Sequence, residues 1–245
     1  MKIDQKNLME TLDRITIDKL IEELPFKIHE DSLRFLVTDP ARQIVIDSSI
    51  RIDNPLKETH QYSFPYISKL KKIVKEMEES FEWIVNPNQV TFKDSEKEIK
   101  TDIIDSPLYS SIDQNIQIVY TCKASLVTKN NTVEFSDSMF FNTKDLKRYL
   151  DKAKLANSPS FYINQKDHKL SLRSESKSDS IVLNMDLKGS FEEDKDFWLI
   201  EFVREILKNN PGGMRIYVKG LNDPIILKTE EPIEVSFAMV PRKGS

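Results

Sequence analysis

An internal echo constrains this chain more than any other feature. Asn142–Ala153 (NTKDLKRYLDKA) repeats the pattern of Asp4–Ile15 (DQKNLMETLDRI) at an offset of 138 residues, so that Lys6, Leu8, Leu12 and Asp13 recur as Lys144, Leu146, Leu150 and Asp151. Leucines at i and i+4 mark each segment as a short amphipathic helix with one buried stripe. The segments after each helix extend the echo. Phe26-Lys27-Ile28, Leu33-Arg34-Phe35 and Ile44-Val45-Ile46 are answered by Phe161-Tyr162-Ile163, Leu170-Ser171-Leu172 and Ile181-Val182-Leu183. Each triplet reads as part of a strand with one apolar face. A second helix is expected in each half, with Tyr66-Ile67, Leu70 and Ile73-Val74 matching Leu199-Ile200, Val203 and Ile206-Leu207. Strands resume at Phe81–Val85 and Met214–Val218. The pattern predicts a duplicated α+β domain.

The 245 residues suit two such domains, each large enough for its own core. Residues 1–118 form the first on this reading, 119–133 a connector and 134–245 the second; an alternative connector start is 105. Helices are expected near 4–15 (extended by the ambiguous Thr16–Glu23 or not), 65–80, 142–154 and 198–209. Residues 53–63 read as loop, and Ile116–Ala124 as a strand ahead of a polar tip at Lys129-Asn130-Asn131.

Composition removes several classes of function. A net charge of −4 excludes a strongly basic nucleic-acid binder. With Cys122 alone no intrachain disulfide forms, and a reducing, intracellular setting is expected; Cys122 itself reads as a small core residue of a strand. No signal peptide or membrane span is visible. All five glycines lie at or after Gly189, so glycine-rich phosphate loops are absent. His29, His60 and His168 have no metal-ligand spacing, and no Gly-x-Ser-x-Gly elbow occurs. Neither catalytic residues, a metal nor a cofactor are expected. Carboxylates dispersed over strands leave a metal-dependent nuclease as the rival from another class, and a protein-only adaptor as a third reading.

The charge is unevenly placed. Across 4–15, 66–80, 142–154 and 198–209, thirteen Lys and Arg face ten Asp and Glu, leaving −7 for the rest of the chain. Lys69, Lys72, Lys144, Lys147, Arg148, Lys152, Arg204 and Lys208 dominate their helix faces, and Lys6 and Arg14 join them on the first helix. Such a surface is either an ordinary solvated face or one that follows a phosphate backbone without reading bases.

The run Phe26-Lys-Ile-x-x-Asp-Ser-Leu-Arg-Phe-x-x-Thr-Asp39-Pro40-Ala41-Arg42-x-Ile-Val-Ile-Asp47 resembles the first domain of the proliferating cell nuclear antigen family, the archaeal and eukaryotic DNA sliding clamps. Asp223-Pro224-Ile-Ile-Leu and the run into Met239-Val240-Pro241-Arg242 resemble that family's carboxyl end. The resemblance implies two similar clamp domains per subunit and three subunits closed into a ring, helices lining the interior and antiparallel sheets outside. It implies a processivity factor that encircles duplex DNA, is placed there by a clamp loader, and tethers DNA polymerase and other replication and repair proteins bearing short clamp-binding motifs. By match to the family, Arg42, Val45, Pro224, Met239, Val240, Pro241 and Arg242 border the partner groove. The connector covers it, with Val127 and Val133, or with Leu108, Tyr109 and Ile112 if it begins at 105. Edge strands near Ile181–Leu187 and within 98–124 are the candidates for pairing between subunits, in a homotrimer or a heterotrimer. An archaeal cytoplasm or a eukaryotic nucleus is the implied location. A specialised or heterotrimer-only clamp subunit, checkpoint-like or viral, is the alternative within the fold.

Overall fold

A computed structural model describes residues 1–17, 21–29, 31–53, 61–121, 123–158, 160–230 and 233–239. The chain divides into two compact units, Met1–Ile116 with Pro232–Val235, and Gln117–Glu231 with Ser236–Ser245.

The first unit runs β1 (Lys2–Asp4), α1 (Gln5–Ile15), β2 (Leu24–Ile28), β3 (Ser32–Thr38), β4 (Ile44–Arg51), β5 (Gln61–Phe64), α2 (Ile67–Glu76), β6 (Ser80–Asn86), β7 (Gln89–Lys93), β8 (Glu98–Asp102) and α3 (Leu108–Asn115). Its strands pair antiparallel in the orders β1-β6-β7-β8 and β5-β2-β3-β4. β9 (Ile116–Tyr120), β10 (Ala124–Thr128) and β11 (Asn131–Phe135) then make a small three-stranded sheet. The second unit continues with β12 (Asp137–Asn142), α4 (Thr143–Ala153), β13 (Ser160–Lys166), β14 (Lys169–Glu175), β15 (Ser180–Met185), β16 (Lys195–Ile200), α5 (Val203–Asn209), β17 (Gly213–Val218), β18 (Ile225–Thr229) and β19 (Val235–Met239). Its sheets, ordered β12-β17-β18-β19 and β16-β13-β14-β15, repeat those of the first unit strand for strand. The expected α+β duplication is therefore present in the topology.

The echo extends to the helix ends. Asp4 and Asn142 occupy the same N-cap position, and their side chains accept from the backbone N–H groups of Asn7 and Lys144 at 2.7 and 3.0 Å. One residue on, the N–H groups of Gln5 and Thr143 donate to Glu79 and Gly212 carbonyls, both at 2.9 Å. Leu8 and Leu12, like Leu146 and Leu150, are buried as the i, i+4 stripe requires.

In the first unit the two sheets meet through aromatic rings. Trp83 on β6 lies 5.7 Å from Phe26 on β2, 5.5 Å from Phe64 on β5 and 5.0 Å from Phe92 on β7, and none of the four is more than 2 % exposed. The edge-to-face angles at Trp83 are the favourable ones for aromatic quadrupoles. In the second unit, Gly189 fits where a side chain does not: an added Cβ would lie 1.9 Å from the Phe140 carbonyl oxygen.

Several expected boundaries change. Trp198-Leu199-Ile200 belongs to strand β16, and α5 starts only at Val203. The expected pairing of the two second helices is thus one turn out of step: Ile67, not Leu70, opens a helix as Val203 does. An amphipathic pattern maps onto itself when slipped by one turn, so spacing alone does not fix the register. Helix α2 is shorter than 65–80, because Met77 is already extended and Ser80 begins β6. Helix α1 ends at Ile15, with Thr16 extended. Gln61–Phe64, read in part as loop, pairs with β2. The single strand expected over Ile116–Ala124 is two strands, β9 ending at Tyr120 and β10 starting at Ala124. Cys122 and His60 lie outside the described residues.

Candidate nucleic-acid interface and partner-facing segments

Each unit carries a helix pair, α1 with α2 and α4 with α5. The repeated aspartate ties each pair together. In the first unit Asp13 Oδ1 meets Lys71 Nζ of α2 at 2.9 Å. In the second, Asp151 Oδ1 accepts from Nε and Nη2 of Arg204 on α5 at 3.0 and 2.7 Å, while its other oxygen accepts from Lys147 Nζ one turn back on α4. Burial alone would raise the Asp151 carboxyl, but the hydrogen bonds from Lys147 and Arg204 hold it below the usual carboxylate range. A depressed carboxyl stabilises above its unfolded-state value of 3.8, and that contribution disappears as pH falls through the lower folded value. Asp151→Asn is therefore expected to lower stability by about 1 kcal/mol at neutral pH, a figure already reduced for the partial exposure of the pair. Urea midpoints of variant and parent should converge on acidification below the carboxylate range; a gap unchanged at low pH would show that the charge is not what matters.

The sequence-derived cations divide into two groups. Lys6, Lys69, Lys72, Lys144, Arg148 and Lys152 are exposed. Lys147 and Arg204 are half-buried and held by Asp151, and Lys208 is exposed but paired with Glu205 at 3.2 Å. Arg14 corrects the sequence reading. It is 8 % exposed, with Nη2 donating to Glu10 at 2.6 Å and Nη1 to the Ile233 carbonyl at 3.1 Å, so its charge serves the interior of the first unit and does not face a phosphate. The helical spacing places it at the rim of the apolar stripe, where a long side chain turns inward once a buried carbonyl is there to receive it. Lys75, which the sequence reading passed over, is exposed on the same helix as Lys69 and Lys72; the three-residue spacing was the available signal.

The residues matched to the partner groove are placed individually. Arg42 is exposed at φ 54° in the β3–β4 turn. That turn is built on Asp39, whose carboxylate accepts from the N–H groups of Ala41, Gln43 and Ile44 at 3.1, 2.6 and 2.8 Å. Val45 is buried on β4, Pro224 is half-buried just before β18, and Met239 is buried on β19. Val240, Pro241 and Arg242 lie outside the described residues.

The stretch after β8 contains a helix that the sequence did not announce. α3 seats Tyr109 and Ile112, an i, i+3 pair, against β2, β3 and β5. Arg34 on β3 grips Asp47 through two bonds of 2.8 and 2.7 Å and reaches Asp113 of α3 at 3.1 Å, and Ser110 donates to Gln61. Further on, Tyr120 of β9 donates to Ser236 Oγ at 2.9 Å, with Lys228 Nζ 4.3 Å from its ring centre. Val133 is buried and Val127 half-buried in the β10–β11 hairpin.

Among the described residues no group of three or more His, Cys, Asp or Glu is placed to hold a metal ion, and no helix is long and apolar enough to cross a membrane.

Two repeats, each with an antiparallel sheet pair and a helix pair, define the architecture of the DNA sliding clamps. Among solved structures, the chain matches A. fulgidus PCNA, solved with the C-terminal region of FEN-1, at a TM-score of 0.74 and 18% identity over 100% of this chain and 98% of that one. It matches the PCNA2–PCNA3 complex of Sulfolobus tokodaii at 0.69 and 17%, over 99% of both chains. The Bacillus subtilis DNA polymerase sliding clamp gives 0.77 and 16%, with all of this chain covering 64% of that one. No protein-family model matches the sequence, and no curated protein matches it. The chain has the sliding-clamp fold.

Proposed function

We propose that this chain is a subunit of a DNA sliding clamp, a non-enzymatic processivity factor that closes with further subunits around duplex DNA. The observation that carries the reading is the repeated unit itself: each copy presents a helix pair with exposed cations, while the rest of the chain is net negative. A ring that slides needs weak, sequence-blind attraction to phosphates, which scattered lysines supply and a dense basic cluster would turn into drag. The fold shared with A. fulgidus PCNA supports the same reading.

On this reading the ring is placed on DNA by a clamp loader and tethers DNA polymerase and other replication and repair proteins, inside the cell. Arg42, Val45, Pro224, Met239, Val240, Pro241 and Arg242 border the groove for their short motifs, and the connector, 119–133 or longer from 105, covers it. Among the strands that end their sheets are β15 and β8, and these two are the proposed edges between subunits. Val182 on β15 is 63 % exposed, and Leu155, in the 3-10 turn that packs on β14 and β15, is 77 % exposed.

Light scattering across a concentration series tests the assembly. A mass of three times 28.6 kDa is expected for a homotrimer. A chain that stays single but assembles with sister subunits is a heterotrimer component, an arrangement of different subunits like that of the S. tokodaii complex. Stimulation of a polymerase on primed DNA is the functional test, and a chain that neither assembles nor stimulates would remove the proposal.

A further inference from the structure

The four helices of the two pairs are not electrically alike. On α1, Arg14 is buried against Glu10, and only Lys6 remains exposed without an ion pair among the described residues. On α5, both cations are engaged, Arg204 with Asp151 and Lys208 with Glu205. On α2, Lys71 is spent on Asp13, but Lys69, Lys72 and Lys75 are exposed and carry no ion pair among the described residues. On α4, Lys147 is spent on Asp151, but Lys144, Arg148 and Lys152 are likewise exposed and outside any such pair.

The two free sets are ordered. Residues 69, 72 and 75 recur every three positions and 144, 148 and 152 every four, so each set lies on one face of its helix. At 1.5 Å per residue the stripes span about 9 and 12 Å. Arg148 is further held in place, its Cζ lying 5.1 Å from the centre of the Tyr149 ring, whose hydroxyl in turn accepts from the Asp186 N–H at 3.0 Å. The duplication did not copy this. The counterparts of Arg148 and Tyr149 in α1 are Glu10 and Thr11, and Thr11 is turned back onto the Asn7 carbonyl.

We infer that duplex DNA is carried by α2 of the first unit and α4 of the second, the second helix of one repeat and the first of the other, while α1 and α5 serve as neutral supports. The inference rests on the sliding-clamp reading. The intrahelical and interhelical ion pairs make the selection. A cation already bonded to a carboxylate must give up that bond to reach a phosphate, whereas a free one exchanges only water and counterions. Six free cations in two stripes also leave the attraction weak enough to be remade as the ring moves.

The experiment is equilibrium binding of a short duplex to the assembled protein at several NaCl concentrations. Four proteins are compared: the parent, an α2 variant (Lys69→Ala, Lys72→Ala, Lys75→Ala), an α4 variant (Lys144→Ala, Arg148→Ala, Lys152→Ala) and a control (Lys6→Ala, Lys208→Ala). Each triple variant should flatten the slope of log K against log salt by about 2–3 for every variant subunit whose stripe meets the duplex, close to one for each phosphate no longer neutralised. The control should change it by less than about one. Charge-preserving Lys69→Arg, Lys72→Arg, Lys75→Arg should keep the parent slope, which a purely structural role would not require. A control as damaging as the triples, or triples with the parent slope, overturns the assignment of helices. A parent with no salt-dependent binding at all overturns the clamp reading instead.

Discussion

Trp83→Ala will destabilise the first unit by about 3–5 kcal/mol, a large part or all of the stability of a domain this size. The ring is fully buried and touches aromatic residues from both sheets, Phe26 and Phe64 from one and Phe92 from the other. Removing it deletes the largest apolar contribution at the place where the sheets meet and leaves a cavity walled by rings that belong to rigid strands and have little room to collapse inward. Trp83 Nε1 has no hydrogen-bond partner among the described residues, so no broken bond adds to the total. Trp83→Phe keeps most of the packing and should cost well under half as much. Urea unfolding followed by circular dichroism measures both. A Trp83→Ala midpoint within experimental error of the parent would show that the aromatic cluster does not hold the two sheets together.

If the chain assembles as proposed, placing aspartate at both Leu155 and Val182 is expected to abolish that assembly. Among the described residues these are the two most exposed large apolar side chains in the second unit, at 77 % and 63 %; Val182 lies on β15, which ends its sheet, and Leu155 in the turn packed on it. In a monomer each exposed apolar side chain forgoes about 1.5–3 kcal/mol that burial would return. In an interface, a carboxylate at either position would give up its water without gaining a partner, a penalty of several kcal/mol. Two such penalties at one interface correspond to well over a hundred-fold in affinity, since about 1.4 kcal/mol is tenfold. Because both side chains face solvent in the single chain, its fold and melting temperature should be unchanged. Light scattering should then report 28.6 kDa where the parent, alone or with its sister subunits, assembles. On the proposed clamp function, stimulation of a polymerase should be lost as well. A double variant that assembles like the parent would place the subunit interface elsewhere.

The duplication was legible in the linear chain because it is written in local terms. Asp4 and Asn142 are N-caps, Leu8 and Leu12 match Leu146 and Leu150, and the strand triplets alternate, so 3.6- and 2-residue periods suffice to find them. The α+β class and the helix-face cations came from the same periods, whereas the antiparallel sheets were expected from the family resemblance. Helix α3 was not legible. It is eight residues long, has two serines inside and lacks a side-chain cap, which makes it marginal in isolation. Tyr109 and Ile112 settle into the face of β2, β3 and β5, and Arg34 supplies a partner for Asp113 from 79 residues away. The register of α5 was hidden for a different reason, the self-similarity of a helical pattern under a one-turn shift.

The sequence by itself determined that two similar α+β units would form, where their first helices begin, and which residues face inward along them, because hydrophobic period and capping act over a few residues. The tertiary structure decided which of the remaining charges stay available: Lys147 and Lys208 meet carboxylates four and three residues away on their own helices, but Arg14, Lys71 and Arg204 are spent on a carbonyl or carboxylate that only folding brings within about 3 Å, where a charged hydrogen bond outweighs the loss of water.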